Sequence, residues 1–231
     1  MRLIREALTD FIDLVYPLVC ITCQETLKKH EGPVCTHCRM GLPKTDYHLR
    51  QDNEMAVKFY GKVPVQFALS YLLYVKQGKA QKLVHALKYK GQEQLGHSLG
   101  LWYGHDLKAA GFGEVFEQVT CVPLHASRLR VRGYNQAASF ARGLAEGLEL
   151  PFYPELLTRN VATTTQTKKG RFERYQNVKD IFVVTRTDLA AGKHILVADD
   201  VVTTGSTLEA CVASLYQGGA GKVSVAAIAT A

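Results

Sequence analysis

The stretch HILVADDVVTTGSTLEA, His194 to Ala210, leaves a chain fewer ways to fold than any other part of this sequence. HILVA is apolar without alternation, as a central strand buried on both faces must be. TLEACVASLYQGG, which begins at Thr207, sets Leu208, Cys211, Val212 and Leu215 at helical spacing and closes on Gly218-Gly219. A strand that passes within a few residues into a helix is half of a βαβ unit, and such units build parallel sheets covered on both faces.

The rest of the chain repeats the alternation. FALSYLLYV reads as a strand and AQKLVHALKYK as a helix, then HSLGLWYGHDLKAA as a helix and QVTCVPL as a buried strand. NQAASFARGLAEGL is a helix with Asn135 at its N-cap, and KDIFVV and GKVSVAAIAT are further strands. The 231 residues suffice for one domain or two small ones, and 47% apolar with 21% charged residues describes an ordinary globular protein. No apolar run reaches the roughly 18 residues of a membrane span. Near the N-terminus Leu3, Ile4, Ala7, Leu8, Phe11, Ile12 and Val15 share one helical face, while Glu6, Asp10 and Asp13 interrupt any signal-peptide core. This segment reads as an amphipathic helix of a cytoplasmic protein.

Between strand and helix lies the chemistry. The turn falls at the carboxyl end of a strand, where open α/β sheets bind ligands. Small residues let the amides of Val202, Thr203, Thr204, Gly205, Ser206 and Thr207 converge on one phosphate, aided by the helix N-terminus. Gly205 permits a positive φ or a close approach. Asp199 and Asp200 would repel that phosphate, but they suit the hydroxyls of a sugar or a hydrated Mg²⁺. Amides for a phosphate beside acids for a sugar describe a phosphorylated ribose. The loop is neither a Walker A sequence nor a GxGxxG fingerprint. Read blandly, it is an Asp-rich turn capping a helix.

Four of the six cysteines fall in CITCQETLKKHEGPVCTHC, as Cys20-x-x-Cys23 and Cys35-x-x-Cys38. Two CxxC turns offer four thiolates to one tetrahedral Zn²⁺. Two disulfides are the other use of the pattern, but nothing points to an oxidising compartment. His30 and His37 stand nearby as bystanders. A polar, turn-rich stretch, Gly41 to Asn53, places a boundary near residue 50. The expectation is a zinc module over residues 1–50 and a second domain over 51–231.

Charge is uneven. The formal net charge is +7, and residues 121–180 hold ten Lys/Arg against five acids, which suits an anionic partner or a solvated basic face.

ILVADDVVTTGST resembles the 5-phosphoribosyl-1-pyrophosphate (PRPP) motif of type I phosphoribosyltransferases. With VYPLVCITC, CTHC, ALKYKG, VPLHASRLRVRGYNQA and TTTQTKKGRFERYQNVKDIF in order, nearly the whole chain is similar to the ComF family. That resemblance implies a type I phosphoribosyltransferase fold, α/β and Rossmann-like with a parallel sheet, joined to a small N-terminal four-cysteine module. It implies a PRPP-binding protein linked to DNA uptake and natural transformation, in the processing of incoming single-stranded DNA, with other competence proteins as partners. Arg128, Arg132 and Gly133 then supply a diphosphate loop, and Lys88 a phosphate contact. Gln166, Arg174 and Asn177 match recurring positions of a loop over the site. Asp199 and Asp200 are the catalytic candidates, with Mg²⁺ accompanying PRPP and Zn²⁺ structural.

If the chain is an enzyme, it is a pentosyltransferase whose acceptor the sequence does not name. Two further readings compete. One is a single-stranded DNA-binding competence protein that uses basic loops and Tyr134, Phe172 or Tyr175 as stacking platforms. The other is a sensor of PRPP or a nucleotide that does not turn it over. Chain order also suggests that the cysteine module covers the opening beside the Thr203–Thr207 loop.

Overall fold

The computed structural model describes residues 17–89, 91–159 and 181–231. Its strands are β1 (Ala68–Leu73), β2 (Gln118–Cys121), β3 (Leu157–Arg159), β4 (Phe182–Val184), β5 (His194–Val202) and β6 (Lys222–Thr230). Its longer helices are α3 (Lys79–Tyr89), α4 (Glu93–Ala109), α6 (Gln136–Leu148) and α8 (Ser206–Gln217). Short helices α1 (Thr36–Met40), α2 (Glu54–Val57), α5 (Ala126–Arg132) and α7 (Thr187–Ala190) complete the α-helices of the described residues, beside two 3₁₀ turns at Tyr47–Leu49 and Phe112–Glu114.

Four strands form the expected parallel sheet, in the order β1-β6-β5-β2. Every residue of His194–Ala198 is buried, as is Val223–Thr230 on β6, so both faces of the sheet's centre are covered. Helix α6 packs on β2 and β5, and α8 on β5 and β6. Asn135 caps α6 as its residue type predicts, with its side chain accepting from the Ala137 N–H at 3.1 Å.

Helices α4 and α6 approach until their backbones touch. A Cβ on Gly100 would collide with the Phe140 carbonyl, and one on Gly143 with the His97 carbonyl. Glycine at these positions is a packing requirement rather than a conformational one.

Three local readings change. First, β5 runs on through both aspartates, with Asp199 opposite Ala227 and Val201 opposite Ala229 of β6. The acids belong to the strand, because main-chain pairing with β6 continues to Val202 whatever the side chains. Second, the described part of the strand read in KDIFVV does not join the parallel sheet. Its Phe182–Val184 pairs antiparallel with Leu157–Arg159 as a separate two-stranded ribbon. Third, the basic loop is mostly helical: α5 spans Ala126–Arg132, capped by His125 through its acceptance from the Ser127 N–H at 3.2 Å. Gly133 ends it in the left-handed region at φ 79°.

Residues 43–45 lie along the outer edge of β1. The Leu73 N–H donates to Pro43 O at 2.8 Å and the Thr45 N–H to Tyr71 O at 3.1 Å. Lys82 and Lys79 of α3 donate to Thr22 O and Gly41 O at 2.9 and 3.1 Å, and so fasten the cysteine segment to that helix.

Candidate functional site

A cleft of about 280 Å³ opens at the carboxyl ends of β5 and β2. Asp199 and Asp200 of β5 line it, with Thr203 and Thr207 from the following turn. Lys88 enters from the end of α3, and Arg128 and Arg132 from α5. These seven sequence candidates converge from separated parts of the chain.

Each acidic side chain folds back on its own strand. Asp199 Oδ1 accepts from the Asp200 N–H at 2.8 Å, and Asp200 Oδ1 from the Val201 N–H at 2.6 Å. Lys88 Nζ lies 2.9 Å from Asp200 Oδ2, with both side chains largely shielded. Burial, reinforced by the Asp200 charge, pushes the Asp199 carboxyl up to about 7. The Asp199 carboxyl therefore changes its charge near neutral pH.

The turn is shaped by glycine. Gly205 has φ 84° and is buried, and a Cβ there would lie 3.2 Å from the Phe59 ring. It is also the N-cap of α8 and brings no side chain to the first-turn amides. Those amides have no acceptor within the helix, and the helix dipole favours an anion beside them. Thr204 Oγ1 and Ser206 Oγ lie 3.0 Å apart and are exposed, and neither residue lines the cleft.

The remaining candidates sit elsewhere. Val202 is a buried strand residue whose carbonyl accepts from the Ala231 N–H and Thr230 Oγ1 at 3.0 and 3.3 Å. Gly133 caps α5 rather than lining the cleft. Gln166, Arg174, Asn177, Phe172, Tyr175 and the N-terminal amphipathic segment lie outside the described residues. The Tyr134 hydroxyl donates to Leu87 O at 2.5 Å, which ties the turn before α6 to α3.

Sequence reasoning missed three cleft residues. Arg159, at the end of β3, adds a fourth cation. Gln136 is buried and accepts from Arg132 Nη1 at 2.8 Å, which fixes the guanidinium's direction. Asn135 lines the cleft as well as capping α6. No spacing marks Arg159, whereas the Arg132/Gln136 pair stands four residues apart in plain sight.

The four cysteines form a second centre. Their sulfurs lie within 4.8 Å of one another, and all four are free thiols. Tetrahedral Zn²⁺ with bonds of about 2.3 Å would set sulfurs about 3.8 Å apart, and Cys23 and Cys35 stand at 3.8 Å. The Cys35 N–H points at Cys20 Sγ (3.3 Å) and the Cys38 N–H at Cys35 Sγ (3.4 Å), contacts that suit thiolates. Burial and the crowding sulfurs of Cys23 and Cys35 push the Cys38 thiol up to about 12, a strain that a divalent cation would relieve. The donor set can hold a metal ion such as zinc. His30 and His37 are exposed and do not belong to this cluster.

The family model for the phosphoribosyl transferase domain matches residues 135–231, which include β5, its turn and α8. DNA utilization protein YhgH of Escherichia coli K12 is 28% identical over 212 residues, covering 90% of this chain and 88% of that protein. Competence protein ComFC of Bacillus subtilis is 27% identical over 206 residues, covering 87% and 79%. Competence protein F of Haemophilus influenzae is 27% identical over 199 residues, covering 82% and 80%. The chain is similar over most of its length to ComF-type competence proteins and carries a match to the phosphoribosyl transferase domain. The acidic pair and the glycine turn fall inside the matched domain, while Lys88, Arg128, Arg132 and the four clustered cysteines precede it. No helix among the described residues is long and apolar enough to cross a membrane.

Proposed function

We propose that the cleft binds PRPP and that the protein is a cytoplasmic phosphoribosyltransferase serving the processing of incoming single-stranded DNA. The observation that carries the reading is the placement of the α8 N-terminus and its glycine turn directly after Asp199 and Asp200. Amides from Thr203 to Thr207 take the 5-phosphate, and the two carboxylates take the ribose hydroxyls. Lys88, Arg128 and Arg132 face the diphosphate, and Arg159 is a further cation for the same group.

Transfer breaks the bond from C1 to the diphosphate oxygen, which leaves with the electron pair. A nucleophilic atom of the acceptor bonds to C1 and loses its proton. Charge on the diphosphate grows as the bond lengthens, so cations fixed beforehand stabilise the transition state more than the ground state. Arg132, held by Gln136, is such a fixed cation. A hydrated Mg²⁺ held through Asp199 or Asp200 would neutralise further charge. Zn²⁺ in the cysteine cluster has a structural part.

Calorimetry of the metal-loaded protein with PRPP and Mg²⁺ tests the reading. Saturable binding that Asp200→Asn weakens at least tenfold is expected; no affinity for any phosphorylated pentose or nucleotide overturns it. Pyrophosphate release that needs an added acceptor establishes turnover, and tight binding without release for any acceptor makes the site a sensor.

One feature favours a DNA-binding reading. Helix α5 carries Arg128, Arg130 and Arg132 and buries no side chain. Salt-sensitive binding of single-stranded DNA that survives the double change Asp199→Ala and Asp200→Ala would make nucleic acid the primary ligand.

A further inference from the structure

The turn between β5 and α8 is held from behind by residues that no motif connects to it. Lys58 Nζ donates to the Thr203 carbonyl at 2.7 Å and to the Ala231 oxygen at 2.7 Å. The buried Phe59 ring closes on Gly205, leaving no room for a Cβ to enter without displacement. Lys62 reaches Glu209 on α8 at 3.9 Å. Contact with the turn thus comes from residues 58–59, beyond the segment that holds the four cysteines.

This support is itself rigid. Asn53 Oδ1 accepts from the Met55 and Ala56 N–H groups at 3.0 Å each and so caps α2. Its Nδ2 donates to Ala68 O of β1 at 3.1 Å. Asn53 and Met55 are buried. Lys58 therefore extends from a platform bonded to the sheet.

In a trans peptide, the carbonyl of one residue and the N–H of the next point in opposite directions. Thr203 lines the cleft, whereas Lys58 lines a separate hollow bounded by Leu73, Thr230 and Ala231. Holding the Thr203 carbonyl toward that hollow turns the Thr204 N–H toward the cleft. The ammonium group also keeps a positive charge one peptide's width behind the cradle. A hydrogen bond from a charged donor is stronger than a neutral one, and a cradle fixed in advance does not have to be reorganised when the anion arrives.

We infer that Lys58 is a positioning residue that orients the Thr203–Thr204 peptide for a ribose 5-phosphate. The inference rests on the phosphate reading of that turn, and its test separates the two.

Ribose 5-phosphate and, separately, inorganic pyrophosphate are titrated into the wild type, Lys58→Met and Lys58→Arg. Lys58→Met is expected to weaken ribose 5-phosphate about tenfold and to leave pyrophosphate within twofold, with Lys58→Arg recovering most of the loss. Unchanged affinity for ribose 5-phosphate, or equal losses for both ligands, overturns the inference. A wild type that binds no phosphorylated pentose removes the reading beneath it. The ligand-free protein supplies an independent measurement. In ¹H–¹⁵N spectra, Lys58→Met should move the Thr204 amide while signals from the sheet stay in place, and an unmoved Thr204 amide overturns the positioning role by itself.

Discussion

Lys88 Nζ and Asp200 Oδ2 meet at 2.9 Å across the cleft, joining the end of α3 to the end of β5. A lysine bound to the acid proposed to hold a sugar fixes the position of the Asp200 side chain until ligand arrives. The same ammonium lowers the proton affinity of Asp199. Lys88→Met is therefore expected to weaken PRPP about tenfold or more and to raise the pH at which Asp199 ionises. Loss of unfolding stability should be about 1 kcal/mol, as for a partly shielded pair. Calorimetry and urea melts check both. Retained PRPP affinity would show that the lysine serves the fold alone.

Asp199 yields a pH dependence of definite sign. Its carboxyl ionises at about 7 in the folded chain, against an ordinary value of 3.8. Between those values the folded state holds a proton that the unfolded state has released. Stability contributed by the neutral form is thus complete below about pH 4 and is lost as pH rises to about 7. The full span is at most a few kcal/mol, since one pKa unit corresponds to about 1.4 kcal/mol. Asp199→Asn should remove this slope from urea melts recorded across the range. Affinity for a ribose phosphate should run the other way and rise through pH 7, because the ionised carboxylate is the better acceptor for sugar hydroxyls.

Gly205 combines a left-handed φ of 84° with a Cβ position 3.2 Å from Phe59. Gly205→Ala must carry the backbone cost and also displace a buried ring. A destabilisation of about 1–3 kcal/mol follows for a non-glycine residue held in that region. Binding of ribose 5-phosphate should suffer more than binding of pyrophosphate, since the turn and not the arginines has moved. A variant as stable as wild type would show that the turn relaxes freely.

What could be read from the sequence was local. HILVA, the glycine turn and the helix after it are contiguous, so period and turn chemistry reveal them together. Both CxxC pairs lie within nineteen residues, close enough for spacing alone to declare a shared centre. Strand β3 is hidden because three residues leave no alternation to detect, and nothing in KDIFVV marks β4 as its antiparallel partner. Helix α5 looked like a loop because its arginines give no apolar stripe, and it buries none of its residues. Lys58 stands 145 residues from its Thr203 partner, and Arg159 reaches the cleft only through the ribbon. Such contacts are products of tertiary packing and leave no periodic trace.

The cysteine cluster predicts one zinc per chain. Four sulfurs within 4.8 Å of one another repel as thiolates, and as thiols they leave N–H groups aimed at weak acceptors. A divalent cation resolves both, and because the unfolded chain has no such site, its binding energy stabilises the fold. Metal analysis of protein purified without chelator should find zinc near unit stoichiometry, and Cys23→Ser and Cys35→Ser should lower it. His30→Ala and His37→Ala should not. Chelation that removes about 3 kcal/mol would lower the thermal midpoint by roughly 6–12 °C in a chain of this size. PRPP affinity should fall less than in Lys88→Met, because the module touches α3 through Lys79 and Lys82, at the end of the helix opposite Lys88. Metal-free protein with an unchanged midpoint in both cysteine variants would leave the cluster without a metal to hold.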